Sequence, residues 1–293
     1  MHVHAPERPL QAVGPIRMSE LSLDNIGVIA GNGIYPETFV EAARKAGMKR
    51  VTVAAFENET KPELAKSVDS VEWFRVGQMG KMLAYFVREG VTQAVMVGQI
   101  APKNLFDLRP DFRTLMVLAK LKERNAETLF GAVANEMLKD GITLLPATTF
   151  LEDLIPEKGA ILGPKLKKRR WEDAEFGFRI AKESSRLDIG QTVVVKKGTV
   201  LAVEAFEGTN EAVKRGGALG KGGATMVKVS KPKQDMRFDV PVVGPDTIRQ
   251  ASAAGVDVIA IEAGKTLILG KEEVESLCGR LRVSLVAIGP SSD

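Results

Sequence analysis

Short, wholly apolar runs alternate along this chain with longer segments in which apolar residues recur every three or four positions. Residues 26–30 form such a run and end in Gly31-Asn32-Gly33; residues 36–46 then place Phe39, Val40 and Ala43 on one face and stop at Gly47. A short run bounded by turn residues predicts a buried strand, and the spaced segment predicts a helix with one covered stripe. The pattern repeats. Residues 51–56 and 71–76 predict strands, and Gly77-Gln78-Met79-Gly80 leads into a helix carrying Met82, Leu83, Phe86 and Val87 that ends at Gly90. Residues 94–98 predict a strand, 112–121 and 127–139 helices, and 142–145 a last strand after the Asp140-Gly141 turn. Strands separated by helices imply a parallel sheet covered on both faces, receiving ligands at the carboxyl ends of its strands.

At Pro156 the texture changes. Pro156, Gly159, Gly163 and Pro164, mixed with Lys165, Lys167, Lys168, Arg169 and Arg170, predict an exposed linker over residues 156–168. Its charges suit a solvated face, a phosphate or an anionic membrane surface. Beyond it the pattern predicts a helix at 171–187, a hairpin of 192–196 and 200–204 turning at Lys197-Gly198, and a strand at 225–229. A helix at 246–254, a strand at 258–262, an apolar run at 266–269, a helix at 272–281 and a strand at 283–288 follow. The expected fold class is α/β. After a loose arm (residues 1–22), a Rossmann-like N-terminal parallel-sheet domain occupies 23–155, and a second, mixed α/β domain occupies 169–293.

Composition narrows the chemistry. The chain has 293 residues, 44% hydrophobic and 27% charged, which is ordinary for two globular domains. Cys278 is the single cysteine, so no intramolecular disulfide forms, and a reducing, cytoplasmic compartment is expected. The two histidines, His2 and His4, both lie in a leader without apolar periodicity. A folded body without imidazole excludes Ser-His-Asp and Cys-His catalysis and histidine-ligated metals, leaving proton transfer and metal binding to carboxylates, lysines, hydroxyls and amides. The net charge of +4 suits phosphorylated small molecules, whereas 5% aromatic residues is too few for a base-stacking surface, so no nucleic-acid partner is expected. No stretch approaches the roughly 18 to 20 apolar residues that span a bilayer, so any membrane contact is expected to be peripheral.

Four segments could carry chemistry. Gly31-Asn32-Gly33, between a strand and a helix, is where backbone amides approach a phosphate, but Pro36 stands where a dinucleotide fingerprint needs its third glycine. A tight turn with Pro36 in the first helical turn explains the same residues. Gly98-Gln99-Ile100 ends a strand at the same sheet edge, with Lys103 and Asn104 behind it. The glycine-rich run 216–223 fails as a phosphate loop, because Arg215 and Gly222 occupy positions that need glycine and Ser or Thr; a lid, an amide cradle or a plain flexible loop remains. The densest cluster is Lys231-Pro232-Lys233-Gln234-Asp235-Met236-Arg237-Phe238-Asp239-Val240-Pro241. Carboxylates suit Mg2+ or Mn2+ while Lys and Arg neutralise phosphate oxygens, although mutual pairing in a solvated turn would use the same residues. The stretches 186–191 and 204–210, with Asp188, Glu204 and Glu207, could add acids if the fold brings them near.

Ile29-Ala30-Gly31-Asn32-Gly33 with Pro36, Val97-Gly98-Gln99, Asp188-Ile189-Gly190-Gln191-Thr192-Val193-Val194, Ala202-Val203-Glu204-Ala205-Phe206-Glu207-Gly208-Thr209 and Lys231-Pro232 through Gln234-Asp235-x-Arg237-Phe238-Asp239-x-Pro241 together resemble the LpxI-type UDP-2,3-diacylglucosamine pyrophosphatases of lipid A biosynthesis. The resemblance spans nearly everything after the leader. It implies a two-domain, Mg2+-dependent hydrolase that cuts the pyrophosphate of UDP-2,3-diacylglucosamine, with water attacking the uridine-side phosphorus, to UMP and 2,3-diacylglucosamine 1-phosphate (lipid X). By motif position it implies Asp235 and Arg237 as catalytic residues, and Asp235, Asp239 and Glu204 as the metal-binding set. It further implies Gly31, Asn32, Gly33, Gln99, Thr209, Lys231 and Gln234 in substrate contact, peripheral contact with the inner membrane's cytoplasmic face, and a homodimer. Asn210 and Ala126-Glu127-Thr128 depart from the acids expected at those places. The competing readings are a nucleotide-binding protein of NAD type built on the Gly31 turn, and a peripheral membrane module using the basic run 165–170.

Overall fold

The computed structural model describes residues 21–100, 110–121, 126–232 and 234–290. His2, His4, Lys103, Asn104, Lys233 and the arm up to residue 20 lie outside the described residues.

Five parallel strands form the first sheet: β1 (Ile26–Ala30), β2 (Val51–Phe56), β3 (Ser70–Phe74), β4 (Gln93–Val97) and β5 (Thr143–Leu144), in the order β3-β2-β1-β4-β5. Alternate residues of β1 serve different layers, which is why the run is apolar throughout. Ile26, Val28 and Ala30 pack with Phe39 and Val40 of helix α1 (Tyr35–Lys45), while Ile29 packs with Met82, Leu83 and Phe86 of α2 (Met79–Arg88) and Met137 of α4 (Ala126–Lys139). Helix α3 (Phe112–Lys120) starts at an Asp111 cap that accepts from the Thr114 amide. The strand order reverses between β1 and β4, so the ends of these strands form the switch point at which open α/β sheets receive ligands.

The second sheet is mixed, in the order β6-β13-β11-β9-β7-β8. Its strands are β6 (Ile161–Leu162), β7 (Thr192–Lys196), β8 (Thr199–Val203), β9 (Ala224–Lys228), β11 (Val256–Glu262) and β13 (Ser284–Ile288); β9, β11 and β13 run parallel. Helix α5 (Lys168–Arg186) covers one face through Ala174, Phe178 and Ala181. The other face packs against α6 (Thr209–Gly220), α7 (Pro245–Ala253) and α8 (Lys271–Leu281). A two-stranded parallel ribbon, β10 (Val242–Val243) and β12 (Leu267–Ile268), ties the domains together. Val242 and Leu267 join the core of the first domain, whereas Val243 and Ile268 join that of the second, as the period-two alternation of strands requires.

Two expectations change. The segment read as an exposed linker is mostly exposed but not loose: it supplies β6, which pairs antiparallel with β13, and α5 begins at Lys168 rather than 171, with Arg170 donating to Asp257 and to the Gly223 carbonyl. Sheet pairing and one partly exposed ion pair organise a stretch whose composition alone looked loose. The glycine run is likewise neither lid nor cradle. Gly216, Gly217 and Gly220 lie in the last turns of α6. A Cβ at Gly216 would stand 2.5 Å from the Val194 Cβ, and one at Gly217 only 1.9 Å from the Ala254 carbonyl oxygen. Close packing on the sheet and on α7 outweighs the roughly 1 kcal/mol of helix propensity each glycine forfeits.

Candidate active site

At the first sheet's switch point, the Gly31 amide donates to the Val97 carbonyl at 2.8 Å. Asn32 and Gln99 form an antiparallel bridge, with Asn32 N to Gln99 O at 2.7 Å and Gln99 N to Asn32 O at 3.2 Å. The two turns cross so closely that a Cβ on Gly31 would lie 2.6 Å from the Gln99 carbonyl oxygen, and one on Gly98 2.8 Å from the Asn32 oxygen. The Gly33 amide donates to Asn32 Oδ1 at 2.6 Å, and Pro36 falls in the first turn of α1. All three amides of Gly31-Asn32-Gly33 are therefore hydrogen-bonded inside the turn, and its offer to a ligand is the exposed side chains of Asn32 and Gln99.

The loop that leaves β9 is built differently. Ser230 is buried, and its amide donates to Glu262 Oε2 at 2.8 Å. Lys182 on α5 donates to both oxygens of Glu262 at 3.1 Å and to the Ser230 carbonyl at 2.9 Å. Gln234 Oε1 accepts from the Ser230 hydroxyl and from the Lys231 amide, each at 2.8 Å, which fixes the orientation of its amide group. Its Nε2 is then left buried with no partner. Next to it, Asp235 Oδ1 accepts from the Arg237 amide at 3.0 Å, and Oδ2 accepts from Arg237 Nη2 at 2.6 Å. Burial alone would push the Asp235 carboxyl up, but the guanidinium and amide of Arg237 outweigh it and hold the carboxyl below the usual carboxylate range. The Asp235 carbonyl accepts from the amides of Phe238 and Asp239, closing one tight turn.

That turn is pinned to the other domain. The Ala147 amide donates to the Met236 carbonyl at 2.9 Å, and the Phe238 ring lies 5.6 Å from that of Phe130 and packs against the cluster holding Ile29 and Met79. Since Ile29 is two residues before Gly31, the acidic turn and the switch point belong to one region between the domains.

A third group stands at the same end of the second sheet. Glu204 follows β8, its amide donates to Thr192 O at 2.8 Å, and its Oε1 accepts from the Thr209 hydroxyl at 2.7 Å. Its Oε2 is buried without a partner, as is Gln191 Oε1. Lys228, in register with Thr192 across β7 and β9, feels the carboxylates of both Glu204 and Asp239; burial lowers its pKa and the two carboxylates pull the other way. Lys231 donates to Asp188 Oδ1 at 2.5 Å, so its ammonium is engaged. Cys278 takes no part, since burial pushes its thiol up to about 11.

The fold thus brings Gln234, Asp235, Arg237 and Asp239 onto one turn, bonds Glu204 to Thr209, and leaves Lys228 under the charges of Glu204 and Asp239. Among the described residues, no group of three or more acids, histidines or cysteines is close enough to hold a metal ion. The donor chemistry nonetheless fits a hard divalent cation. Asp239 lies on the same turn as Asp235, and Mg2+ is usually held by one or two carboxylates with substrate phosphates completing its shell. Asp235 would join once Arg237 releases it. Sequence reasoning missed Lys228, Lys182 and Glu262; a lysine ending the otherwise apolar strand Ala224–Lys228 was the available signal.

A parallel-sheet domain joined to a mixed-sheet domain, with the acidic and cationic turn pinned between them, defines a two-domain α/β protein with a polar site at the domain boundary. The chain belongs to the LpxI family: residues 25–154 match the LpxI N-terminal domain and residues 157–286 the LpxI C-terminal domain. It is 29% identical over 276 residues to the UDP-2,3-diacylglucosamine pyrophosphatase LpxI of Caulobacter vibrioides, covering 90% of this chain and 98% of that one. The biotin carboxylase domain of Hydrogenobacter thermophilus 2-oxoglutarate carboxylase aligns with 60% of this chain and 35% of its own, at 14% identity and a TM-score of 0.26, too distant to bear on the site.

Proposed function

We propose that this protein hydrolyses the pyrophosphate of UDP-2,3-diacylglucosamine to UMP and 2,3-diacylglucosamine 1-phosphate (lipid X), with Mg2+, or Mn2+ in its place. Family membership over both domains supports the substrate. The observation that carries the chemistry is the set of unspent polar atoms at one sheet end, Glu204 Oε2 and Gln234 Nε2, beside the Asp235–Arg237 pair.

Water adds to the uridine-side phosphorus, the bond from that phosphorus to the bridging oxygen breaks, and the bridging oxygen departs on the sugar phosphate. The water's proton passes to Glu204 Oε2. Thr209 holds the other oxygen of that carboxylate and so fixes its direction. Arg237 exchanges Asp235 for the phosphate oxygens, a bidentate partner of the same geometry. Gln234 donates from Nε2, the one direction its locked amide leaves open. Asp235 and Asp239 would hold the divalent cation, which when bound neutralises phosphate charge and lowers the pKa of a water. Asn32 and Gln99 contact the polar part of the substrate at the switch point. No helix among the described residues is long and apolar enough to cross a membrane. The reading therefore includes peripheral contact with the cytoplasmic face of the membrane that carries the lipid, and it includes a homodimer.

The test is release of UMP from UDP-2,3-diacylglucosamine by the purified protein in water labelled with heavy oxygen, with Mg2+ and with EDTA. Labelled UMP with Mg2+, lost with EDTA, is the expected result. No UMP under either condition would leave a nucleotide-binding protein instead.

A further inference from the structure

The lysines at the carboxyl end of the second sheet divide by what they hold. Lys182 gives its ammonium to Glu262 and to the Ser230 carbonyl, and Lys231 gives its ammonium to Asp188. Lys228 is different. As the last residue of β9 it lies between Thr192 of β7 and Ile261 of β11, with sheet on both sides. By strand alternation its side chain shares the face of Met226, which packs with α6 and α7. Among the described residues none accepts a hydrogen bond from its ammonium or lies within ion-pair distance; Glu204 and Asp239 act on it through charge alone. The residue is half-buried rather than closed off, so its ammonium, held by no protein acceptor among the described residues, is within reach of a ligand.

The surroundings specify the ligand. Thr192, the register partner of Lys228, has its hydroxyl 3.4 Å from that of Thr209, the first residue of α6. No side chain caps that helix, whose first turn carries Glu211, and its positive end lies on the Thr192 side of Lys228. An ammonium and a helix N-terminus together call for a polyanion with several oxygens. The charges of Glu204 and Asp239, which also act on this ammonium, favour a polyanion that brings a divalent cation with it.

We propose that Lys228 is the anchor of the substrate's diphosphate, donating to its non-bridging oxygens beside the N-terminus of α6, an assignment that rests on the hydrolase reading. Its test is calorimetric binding of inorganic pyrophosphate with Mg2+ to the wild type, K228M and K228R, alongside kcat/KM for UDP-2,3-diacylglucosamine. Losing a charge-assisted hydrogen bond should weaken pyrophosphate binding of K228M by about tenfold or more. K228R should recover part of that affinity, and kcat/KM should follow the same order. A purely structural lysine would leave pyrophosphate affinity unchanged in K228M, and that result overturns the anchor, as does absence of pyrophosphate binding by the wild type. If K228M does not fold, K228Q takes its place under the same criteria. Should pyrophosphate binding depend on Lys228 while no protein releases UMP, the anchor stands and the hydrolase reading falls.

Discussion

Each of the two sheets ends in a polar turn at the domain boundary, and the two turns use their atoms in opposite ways. At the first, Gly31-Asn32-Gly33 meets Gly98-Gln99, and the backbone spends its own donors: the amides of residues 31, 32 and 33 all have partners inside the turn. At the second, backbone and side chains hold one another so as to leave particular atoms over. Gln234 is locked with Nε2 unused, Glu204 is locked with Oε2 unused, and half-buried Lys228 has no acceptor among the described residues. Glycines at a strand end are thus no guide to where chemistry sits, because close backbone approach requires them with or without a ligand. Buried polar atoms held in place but unpaired are the better guide, since the fold bears a cost for each.

The contrast can be broken at several points, the largest first. Glu204→Gln removes the proton acceptor while keeping the Thr209 contact, and kcat should fall about a hundredfold, within the range general-base catalysis contributes; steady-state UMP release measures it. Gly217→Ala tests whether the glycine run is packing rather than lid. Its methyl would meet the Ala254 carbonyl at 1.9 Å, so urea unfolding should show a loss of about 2 kcal/mol, whereas a mobile lid would tolerate alanine. The smallest effect concerns acid. Because Arg237 holds the Asp235 carboxyl below its unfolded value, ionised Asp235 contributes stability that is complete above the ordinary carboxylate pKa of about 3.9 and is lost as pH falls through the lower folded value. Urea melts between neutral pH and pH of about 3 should therefore decline less steeply for Asp235→Asn than for the wild type; the pair is partly exposed, so the difference is a fraction of a kcal/mol.

Much of the fold was legible because both sheets are covered on both faces, which turns strands such as Val51–Phe56 and Ser284–Ile288 into largely apolar, uncharged runs. The misreadings share a cause. Composition made residues 156–168 and 216–223 look loose, and long-range packing, of β6 on β13 and of α6 on Val194 and Ala254, decided otherwise. The acidic turn was visible through its dense local mix of carboxylates, cations and amides. Lys182 with Glu262 was invisible because the partners lie 80 residues apart, and Lys228 was signalled only by one charge ending a short uncharged strand. The bond between Glu204 and Thr209 spans five residues, and both belong to one motif of the resemblance.

The most direct test compares the two turns in one assay: kcat and KM for UMP release by Asp235→Ala and by Asn32→Ala. If the second sheet's turn carries the chemistry, Asp235→Ala loses at least about 3 to 4 kcal/mol of transition-state stabilisation, a few hundredfold in kcat, with KM nearly kept. Asn32→Ala should then raise KM by less than about tenfold and keep kcat, as loss of one polar contact does. A Asp235→Ala protein as fast as the wild type, or a collapse of kcat in Asn32→Ala alone, would contradict the account and move the reaction to the Gly31 turn.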